Sequence, residues 1–464
     1  MNKVESIKRK IGEKVIEKTN IKDGVVKNFL SLAIPSVGEN LLQTVFSFVD
    51  MAFVGRLGAL SLAGVGLANQ LIFVFLAIMM SINIGTNVLV AQNYGAKKFV
   101  KTKEIIWQSI YLAILISLGF FIFGLFFSYS IFYPFTGETA LKKIAGDYLF
   151  WIITPSIVFV APIILGAAFR GIGDTKTPFY VTLVANGLNI FLDYVLIFGK
   201  LGFPNWGVKG AAIATSISRL VALVVYLFLL FYKKREFHLS NLFPKFDFDI
   251  IKNLIKIGFP ASLERFMFSF GNLFFGNVVL SIGTEAFAAH RVSINIESLS
   301  FNTGFGFTNA TQTLVGQSIG NNDEKLAKRY TYTSLKITLF IMGLIGIILF
   351  FFPDLFIRIF TDDIKVIEFA RIAVRIISFV QPFFAMVLIF MGSLRGGGNT
   401  SSPLWATTLG MYLIRIPLSF ILVKIFGLGM FGAWIAMAFD ITFKGFYLYF
   451  IFLKRANFKR YVLE

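Results

Sequence analysis

The chain has 464 residues, of which 56% are hydrophobic and only 15% are charged. A soluble domain is roughly 25% charged, so this composition indicates an integral membrane protein and excludes a large soluble catalytic domain. The net charge of +19 would suit nucleic acid, but the basic residues cluster beside apolar stretches, and we expect no nucleic-acid partner. The sequence has no cysteine, which excludes disulfides and thiolate chemistry.

Twelve apolar stretches follow one another along the chain, each long enough for a transmembrane helix of roughly 20 residues. Numbered helices 1 to 12, they cover residues 30–54, 62–91, 105–128, 148–169, 178–199, 208–232, 254–282, 287–317, 334–353, 368–393, 403–426 and 430–453. The lysine-rich residues 1–28 lack the apolar core of a signal peptide and predict a cytoplasmic surface helix. The sequence therefore predicts an all-α integral membrane protein with twelve transmembrane helices.

The distribution of basic residues predicts the orientation of these helices. An even number of helices places both chain ends on one side, where 29 basic residues lie, against 9 on the other. The positive-inside rule makes that side the cytoplasm, so we expect a multi-pass protein of the cell membrane with both termini inside. A polar linker, residues 233–253, separates a predicted N-lobe (29–232) from a C-lobe (254–454), which a tail (455–464) follows.

The two lobes are internal repeats, because one shift of 225 residues superposes them. It brings the turn RGIGDTKTP, beginning at Arg170, onto RGGGNTSSP, beginning at Arg395, and Glu39 onto Glu264. We expect the two arginines to cap and anchor these turns. Six helices per repeat give both lobes the same orientation, so an axis along the membrane normal relates them and the transport path lies between them. No G-x-x-x-x-G-K-[ST] loop is present, so transport is driven by an ion gradient or is passive.

Four polar residues of the N-lobe have apolar repeat partners in the C-lobe. They are Asp50, Asn189, Asp193 and Thr215, which correspond to Phe275, Ile414, Leu418 and Met437. All four are expected in the outer half of the membrane, where carboxylates without a nearby base cannot both stay ionised. Either one carboxyl carries a proton or a cation such as sodium lies between them. We interpret the four residues as a cation-coupling site, with a purely structural hydrogen-bonding role as the alternative.

Residues that both lobes share are weaker candidates. Glu39 and Glu264 occupy equivalent positions in the two lobes. A structural role accounts for them as well as a role in the substrate cavity does. Aromatic side chains suit cationic ligands, which adds Phe46 and Phe268 to the predicted cavity. Neither histidine of the chain has companions at metal-ligand spacing, so we expect no metal site from them.

Three motifs together resemble the MATE family of multidrug and toxin extrusion transporters. They are PSVGENLLQTVFSFVDMAFVGRLG from Pro35, the paired turns that contain Gly173 and Gly398, and AAIATSIS from Ala211. The resemblance covers nearly the whole chain and implies an antiporter that exports organic cations or drugs in exchange for sodium or protons by alternating access. It implies no enzymatic activity and no cofactor, with small-molecule drugs and membrane lipids as partners of a monomer.

Within that family the chain is similar to the DinF-like branch. The helix 1 aspartate of that branch corresponds to Asp50, and its helix 5 N-x-x-x-D pair to Asn189 and Asp193. Thr215 and Gln43 match the branch's polar cavity groups less closely.

The NorM-like branch has acids on helices 7 and 10 at positions that are Phe268 and Phe384 here, so a C-lobe cation site is not expected. The alternative function is a flippase or exporter of a lipid-linked or amphipathic metabolite in the same superfamily. It rests on six basic residues within predicted helices: Arg219, Arg265, Arg371, Arg375, Arg415 and Lys444. A membrane-embedded enzyme would need a catalytic cluster, and the two histidines lie far apart in the sequence.

Overall fold

The computed structural model describes residues 3–232, 238–239, 244–454 and 458–463, with side chains from Gly24 onward. Within these ranges the chain is helical, without a strand. Twelve long helices follow in order: α1 Lys3–Gly55, α2 Ala59–Gly95, α3 Phe99–Phe127, α4 Thr139–Ile153 with Ser156–Gly171, α5 Lys176–Phe198, α6 Gly207–Phe231, α7 Phe248–Leu280, α8 Thr284–Gly320, α9 Glu324–Phe351, α10 Ile364–Gly396, α11 Ser401–Ile425 and α12 Gly429–Leu453. The prediction of an all-α fold with two six-helix lobes is confirmed.

Eight of the long helices are each long and apolar enough to cross a membrane, and α4 makes a ninth if its two segments are one bent span. The other three, α1, α7 and α8, are less apolar. They pack across the lobe boundary, α1 against α8 and α7 against α2. A helix face that meets the other lobe does not meet lipid tails, which explains the polar residues of these three helices.

Several helix bounds differ from the predicted spans. The backbone of α1 is continuous from Lys3, so the predicted surface helix of residues 1–28 is not separated from helix 1 by a break. Helix α4 bends by 54° at Thr154 and Pro155, because proline cannot donate a backbone hydrogen bond. Helix α11 contains two π-helical segments, Gly410–Arg415 and Ile421–Ile425. Part of the predicted linker, 233–253, lies outside the described residues.

The repeat is visible as symmetric contacts between the lobes. Asn87 and Gln312 are 225 residues apart and bond each other directly, with Gln312 Nε2 donating to Asn87 Oδ1 at 2.7 Å. Two equivalent residues that touch each other must lie on the axis that relates the lobes. In the same way α2 ends at Gly95 against the backbone of Gln317, and α8 ends at Gly320 against that of Gln92.

The two RG-containing turns, each between the fourth and fifth helix of its lobe, also fold alike. Gly173 and Gly398 have φ angles of +91° and +75°, a conformation that favours glycine. Asp174 Oδ1 and Asn399 Oδ1 then accept a backbone N–H of the following helix, at 3.0 and 3.1 Å. The sequence motif therefore encodes a left-handed turn followed by a capped helix start.

The lobes are closed together on one side of the molecule. We call this side the tail face, defined by the end of α2 at Gly95 and the end of α8 at Gly320. Three of the hydrogen bonds that join the lobes in this half are Ser262 Oγ to Ala77 O at 2.8 Å, Asn302 Nδ2 to Thr44 Oγ1 at 2.9 Å and Gln317 Nε2 to Gly171 O at 2.9 Å. The tail face is the side that the basic residues predict to be cytoplasmic.

Candidate functional site

Two aspartates of the N-lobe lie on adjoining helices, and neither has a counter-charge in the part of the chain that the structure describes. Asp193 on α5 is fully buried, and neither of its carboxylate oxygens has a hydrogen-bond partner among the described residues. Asp50 on α1 is half-buried, and its Oδ1 is also buried without a partner. Helices α1 and α5 pack against each other in this region, where the rings of Phe53 and Phe198 are 5.8 Å apart, so the two carboxylates lie on adjoining helices. In the described part of the chain, no lysine or arginine forms an ion pair with either acid.

The other two predicted coupling residues lie on α5 and the neighbouring helix α6. Asn189 is one turn before Asp193 on α5, and its Nδ2 donates to Thr215 Oγ1 on α6 at 3.5 Å. Thr215 Oγ1 donates in turn to Ala211 O at 3.0 Å. The helices approach closely because α6 has Gly210, where a Cβ would lie 2.6 Å from the backbone of α5. The structure therefore brings all four predicted residues to the helices α1, α5 and α6.

The chemistry of this N-lobe acid pair is limited to oxygen ligands. Carboxylates, an amide carbonyl and a hydroxyl suit a hard cation, and a carboxyl alone suits a proton. A buried carboxylate without a donor costs several kcal/mol, so the pair is expected to be occupied by a proton or a cation. Among the described residues there is no cluster of three or more His, Cys, Asp and Glu side chains, so a metal site here would depend on Asn189 and Thr215 as well.

The predicted cavity residues separate into two groups. Glu264 and Phe268 line a cavity of about 310 Å³ on the C-lobe side, whose wall Met80 of α2 completes. Glu39 is buried, Gln43 is exposed and Phe46 is half-buried, and none of the three lines this cavity.

Glu39 and Glu264 each bind the arginine of the turn in their own lobe. Arg170 Nη1 donates to Glu39 Oε1 at 3.0 Å, and Arg395 Nη2 donates to Glu264 Oε2 at 2.7 Å. Both guanidinium groups reach across to the first helix of their lobe, so these ion pairs anchor the two turns to that helix. Equivalent ion pairs in both lobes indicate that this contact belongs to the fold.

A buried charged cluster lies beside the C-lobe cavity. Asp440 on α12 is fully buried, and its Oδ2 accepts from Arg415 Nε at 2.8 Å and from Lys444 Nζ at 2.8 Å. Arg415 Nη1 also donates to Asn272 Oδ1 at 3.4 Å. Helix α12 reaches α11 here because Gly410 has no side chain, and a Cβ there would meet the Asp440 carboxylate.

The cluster was only partly found from the sequence. Arg415 and Lys444 were noted as basic residues within helices, but Asp440 and the buried, cavity-lining Glu297 were not singled out. The signal was the same repeat comparison, made in the other direction. Polar residues of the C-lobe with apolar N-lobe partners include Glu297, Arg415 and Lys444, which correspond to Ile72, Ile190 and Ala222.

These features define a two-lobe helical membrane transporter with a cavity on the C-lobe side. The family model described as MatE matches the chain twice, over residues 35–195 and 260–421, in agreement with the 225-residue repeat. The chain belongs to the MATE family, which is a family of transporters and not of enzymes. The more specific placement in the DinF-like branch stays a prediction.

Curated relatives match the chain over nearly its whole length. A "Probable multidrug resistance protein NorM" from Thermotoga maritima is 38% identical over 441 residues, which cover 94% of both chains. A protein of the same name from Bacillus anthracis is 28% identical over 434 residues, covering 92% of this chain and 95% of its own.

Solved structures have the same fold. One described as the outward-facing conformation of a multidrug resistance MATE family transporter of the MOP superfamily superposes with a TM-score of 0.88 at 22% identity, covering 93% of this chain and 96% of that one. A Pyrococcus furiosus transporter of the MOP superfamily, whose description reports a binding pocket of reverse polarity, gives 0.87 at 21% identity with the same coverage. At these identities the likeness shows the fold alone.

Proposed function

We propose that the protein is a secondary active antiporter that exports organic cations or other drugs across the cytoplasmic membrane. The coupling ion, sodium or a proton, binds at the N-lobe acid pair. The observation that carries this proposal is the fully buried Asp193, whose two oxygens have no partner in the described chain and which faces a second acid, Asp50. The name of the Thermotoga maritima relative supports drug export as the transport reaction.

The closed tail face supports an alternating-access mechanism. The lobes are joined in the half that contains Thr44 and Ala77, whereas Asp50 lies about 9 Å further along α1 than Thr44, at 1.5 Å per residue. In this state the acid pair is on the far side of the closure from the tail face. Ion binding there neutralises buried charge, which favours the movement of α1 against α5 and α6 that reopens the tail face. The cargo and the coupling ion therefore cross the membrane in opposite directions.

A transport assay tests the coupling role. Purified protein is reconstituted in proteoliposomes, and efflux of a cationic dye is followed under a sodium gradient and, separately, under a proton gradient. Asp50→Asn is expected to abolish efflux under the coupling gradient, because it removes one charge of the pair while keeping its volume. The matched control is Asp323→Asn, which changes an acid at a helix start where asparagine caps equally well. Wild-type efflux in the Asp50→Asn variant would overturn the proposal.

A binding experiment identifies the ion. The oxygen ligands at the N-lobe acid pair favour sodium. A proton needs only one carboxyl group, whereas sodium would also use the Asn189 amide and the Thr215 hydroxyl as ligands. Sodium at pH 8 is then expected to raise the melting temperature by mass action, and the rise is lost in Asp193→Asn. Potassium is the control for ionic strength. No sodium response, together with efflux under a proton gradient at constant sodium, assigns the pair to a shared proton.

A further inference from the structure

The C-lobe cavity has more bases than acids along its wall. Four basic side chains, Arg265, Arg395, Arg415 and Lys444, face the acids Glu264 and Glu297 and the adjacent Asp440. Glu264 is bound by Arg395, and Asp440 is shared by two cations, so these acids are already neutralised. Even with Glu297 ionised, the set therefore carries a net positive charge. A cationic cargo would meet a surplus of like charge here.

Two of the bases keep donors for a ligand. Arg265 forms no ion pair among the described residues, and its guanidinium lies over the ring of Phe268, 5.9 Å from the centroid. Lys444 Nζ bonds Asp440 and has no other hydrogen-bond partner in the described chain, although an ammonium group has three N–H donors. Lys444 is buried and Arg265 is half-buried. Cations with unused donors inside a membrane protein are costly, and they mark a site for a group of opposite charge.

The rest of the wall is apolar and aromatic. Phe275, Phe301 and Phe384 line the cavity together with the charged groups, and the cavity volume is about 310 Å³. A pocket of apolar walls with a few convergent polar groups binds a small molecule with an apolar body and one oriented polar group.

We propose that the C-lobe cavity binds a cargo with an aromatic or aliphatic body and a carboxylate, which Arg265 and Lys444 hold while the phenylalanines hold the body. This inference rests on the proposed export function and names one class of its substrates. Arginine suits the role because its planar guanidinium donates two parallel hydrogen bonds to a carboxylate. Glu297 limits the affinity of the cavity for this carboxylate, because its own charge offsets one of the positive charges of the empty cavity.

Direct binding tests the inference without any gradient. The purified protein is titrated calorimetrically with three naphthalene probes of the same body: 2-naphthoate, neutral 2-naphthamide and the cationic 2-naphthylmethylammonium. We expect naphthoate to bind at least about tenfold tighter than naphthamide, the equivalent of about 1.4 kcal/mol for a charged hydrogen bond. Tighter binding of the ammonium probe than of naphthoate would overturn the inference.

Substitutions assign the selectivity to the cavity. Arg265→Gln is expected to remove most of the preference for naphthoate over naphthamide while leaving the affinity for naphthamide unchanged. Glu297→Gln is expected to increase the preference for naphthoate. The matched control is Arg219→Gln in the N-lobe, which also changes an arginine that lies over a phenylalanine ring, 5.6 Å from its centroid, and forms no ion pair in the described chain. Equal effects of the two arginine substitutions would contradict the assignment.

Two further arms separate the remaining explanations. Asp50→Asn is expected to keep naphthoate binding while losing coupled efflux, so failure of one proposal is distinguishable from failure of the other. The titration is also repeated in nanodiscs of phosphatidylcholine and of phosphatidylglycerol. If only the anionic lipid suppresses naphthoate binding, the cavity is a lipid-phosphate site, and the proposed cargo class is wrong.

A separate observation concerns the tail residues 458–463, which bind both lobes at the tail face. On the N-lobe side, the backbone N–H groups of Tyr461 and Leu463 donate to Gln92 Oε1 at 2.6 Å and Asn93 Oδ1 at 3.0 Å. On the C-lobe side, Lys459 N donates to Gly397 O at 2.6 Å and Arg460 Nη2 to Gly320 O at 3.1 Å. A segment that bonds both lobes where they close stabilises the closed state and not the open one.

We infer that residues 458–463 are a latch that holds the tail face closed. The test uses spin labels on V100C and K325C, exposed positions that are equivalent in the repeat, because the natural chain has no cysteine. Truncation after residue 457 is expected to add a longer distance to the distribution measured by double electron–electron resonance. A synthetic peptide of residues 455–464 should reverse this change. An unchanged distribution after truncation would refute the latch.

Discussion

The two lobes share their backbone plan and differ in the charge that each one buries. In the N-lobe two acids, Asp50 and Asp193, lie on adjoining helices, and neither forms an ion pair with a base among the described residues. In the C-lobe a single carboxylate, Asp440, is shared by Arg415 and Lys444. The two proposals rest on this difference: they assign a positive ion to the N-lobe and a negative group of the cargo to the C-lobe cavity.

The largest expected effect on transport separates the lobes at one pair of equivalent positions. Asp193→Asn is expected to lower gradient-driven efflux by about 100-fold, the equivalent of about 2.7 kcal/mol of lost coupling. Leu418→Asn, at the same position of the C-lobe, should change efflux only in proportion to the amount of folded protein. Efflux is measured in proteoliposomes at matched protein content. Equal losses in both variants would show that the buried charge of the N-lobe has no special role.

The second prediction concerns what the lobes have in common. Glu39→Ala leaves Arg170, whose side chain is 13% exposed, without its partner, and Glu264→Ala does the same to Arg395, whose side chain is 5% exposed. Each loss costs about 3 to 5 kcal/mol of unfolding free energy. The two costs should agree to within about 1 kcal/mol, because both ion pairs join the same helices of their lobes. Unfolding in increasing denaturant is followed by tryptophan fluorescence. A much larger cost in one lobe would mean that its glutamate has a task beyond the fold.

The third prediction tests the close approach that builds the C-lobe cluster. Gly410→Ala places a methyl group against the Asp440 carboxylate and is expected to destabilise the protein by about 1 to 3 kcal/mol through overpacking. The substitution should also weaken naphthoate binding, since it displaces Lys444. Gly187→Ala is the control, because nothing lies within 4 Å of a Cβ at that helical position. Stability equal to that of the control would show that α11 and α12 separate without cost.

The sequence predicted the fold well because the fold depends on patterns that lie along the chain, whereas the coupling role of the N-lobe residues stays a prediction. Apolar stretches give the helices, and the constant offset gives the repeat that Asn87 and Gln312 reveal by touching. The partners of the arginines were not predictable in this way. Arg170 and Glu39 are 131 residues apart, and only the packing of α4 against α1 shows that they meet.

The C-lobe cluster was missed for a different reason. The contact between Arg415 and Asp440 depends on the path of α11, because Arg415 lies in the π-helical segment Gly410–Arg415 and donates to Asp440 on α12. A π-helical segment inserts a residue into the helical period, so helical periodicity does not place Arg415 correctly. A repeat comparison made from the C-lobe toward the N-lobe would have identified the basic residues, but not the carboxylate that they share.

The smallest expected effect concerns the loop between the third and fourth helix of each lobe, on the side opposite the tail face. In the N-lobe Tyr129 donates its hydroxyl to Asp147 Oδ1 at 2.8 Å. Burial, together with the Asp147 carboxylate, raises the pKa of Tyr129 to about 12. The C-lobe residue equivalent to Tyr129 is Asp354, whose carboxylate accepts two hydrogen bonds from Arg371, at 2.9 and 2.8 Å. These bonds lower the pKa of Asp354 below its ordinary value of 3.8.

Opposite pKa shifts at equivalent positions predict opposite responses to pH. The contribution of Asp354 to stability is present above pH 3.8 and is lost as the pH falls through the lowered pKa, whereas that of Tyr129 is present below pH 10.0 and is lost as the pH rises toward about 12. Because Asp354 and Arg371 are partly exposed, their pair is worth less than about 1 kcal/mol. Melting temperatures of wild type, Asp354→Asn and Tyr129→Phe are compared from pH 3 to 11. The Asp354→Asn deficit should shrink only at the acid end and the Tyr129→Phe deficit only at the alkaline end, and deficits independent of pH would show that neither ionisation is linked to folding.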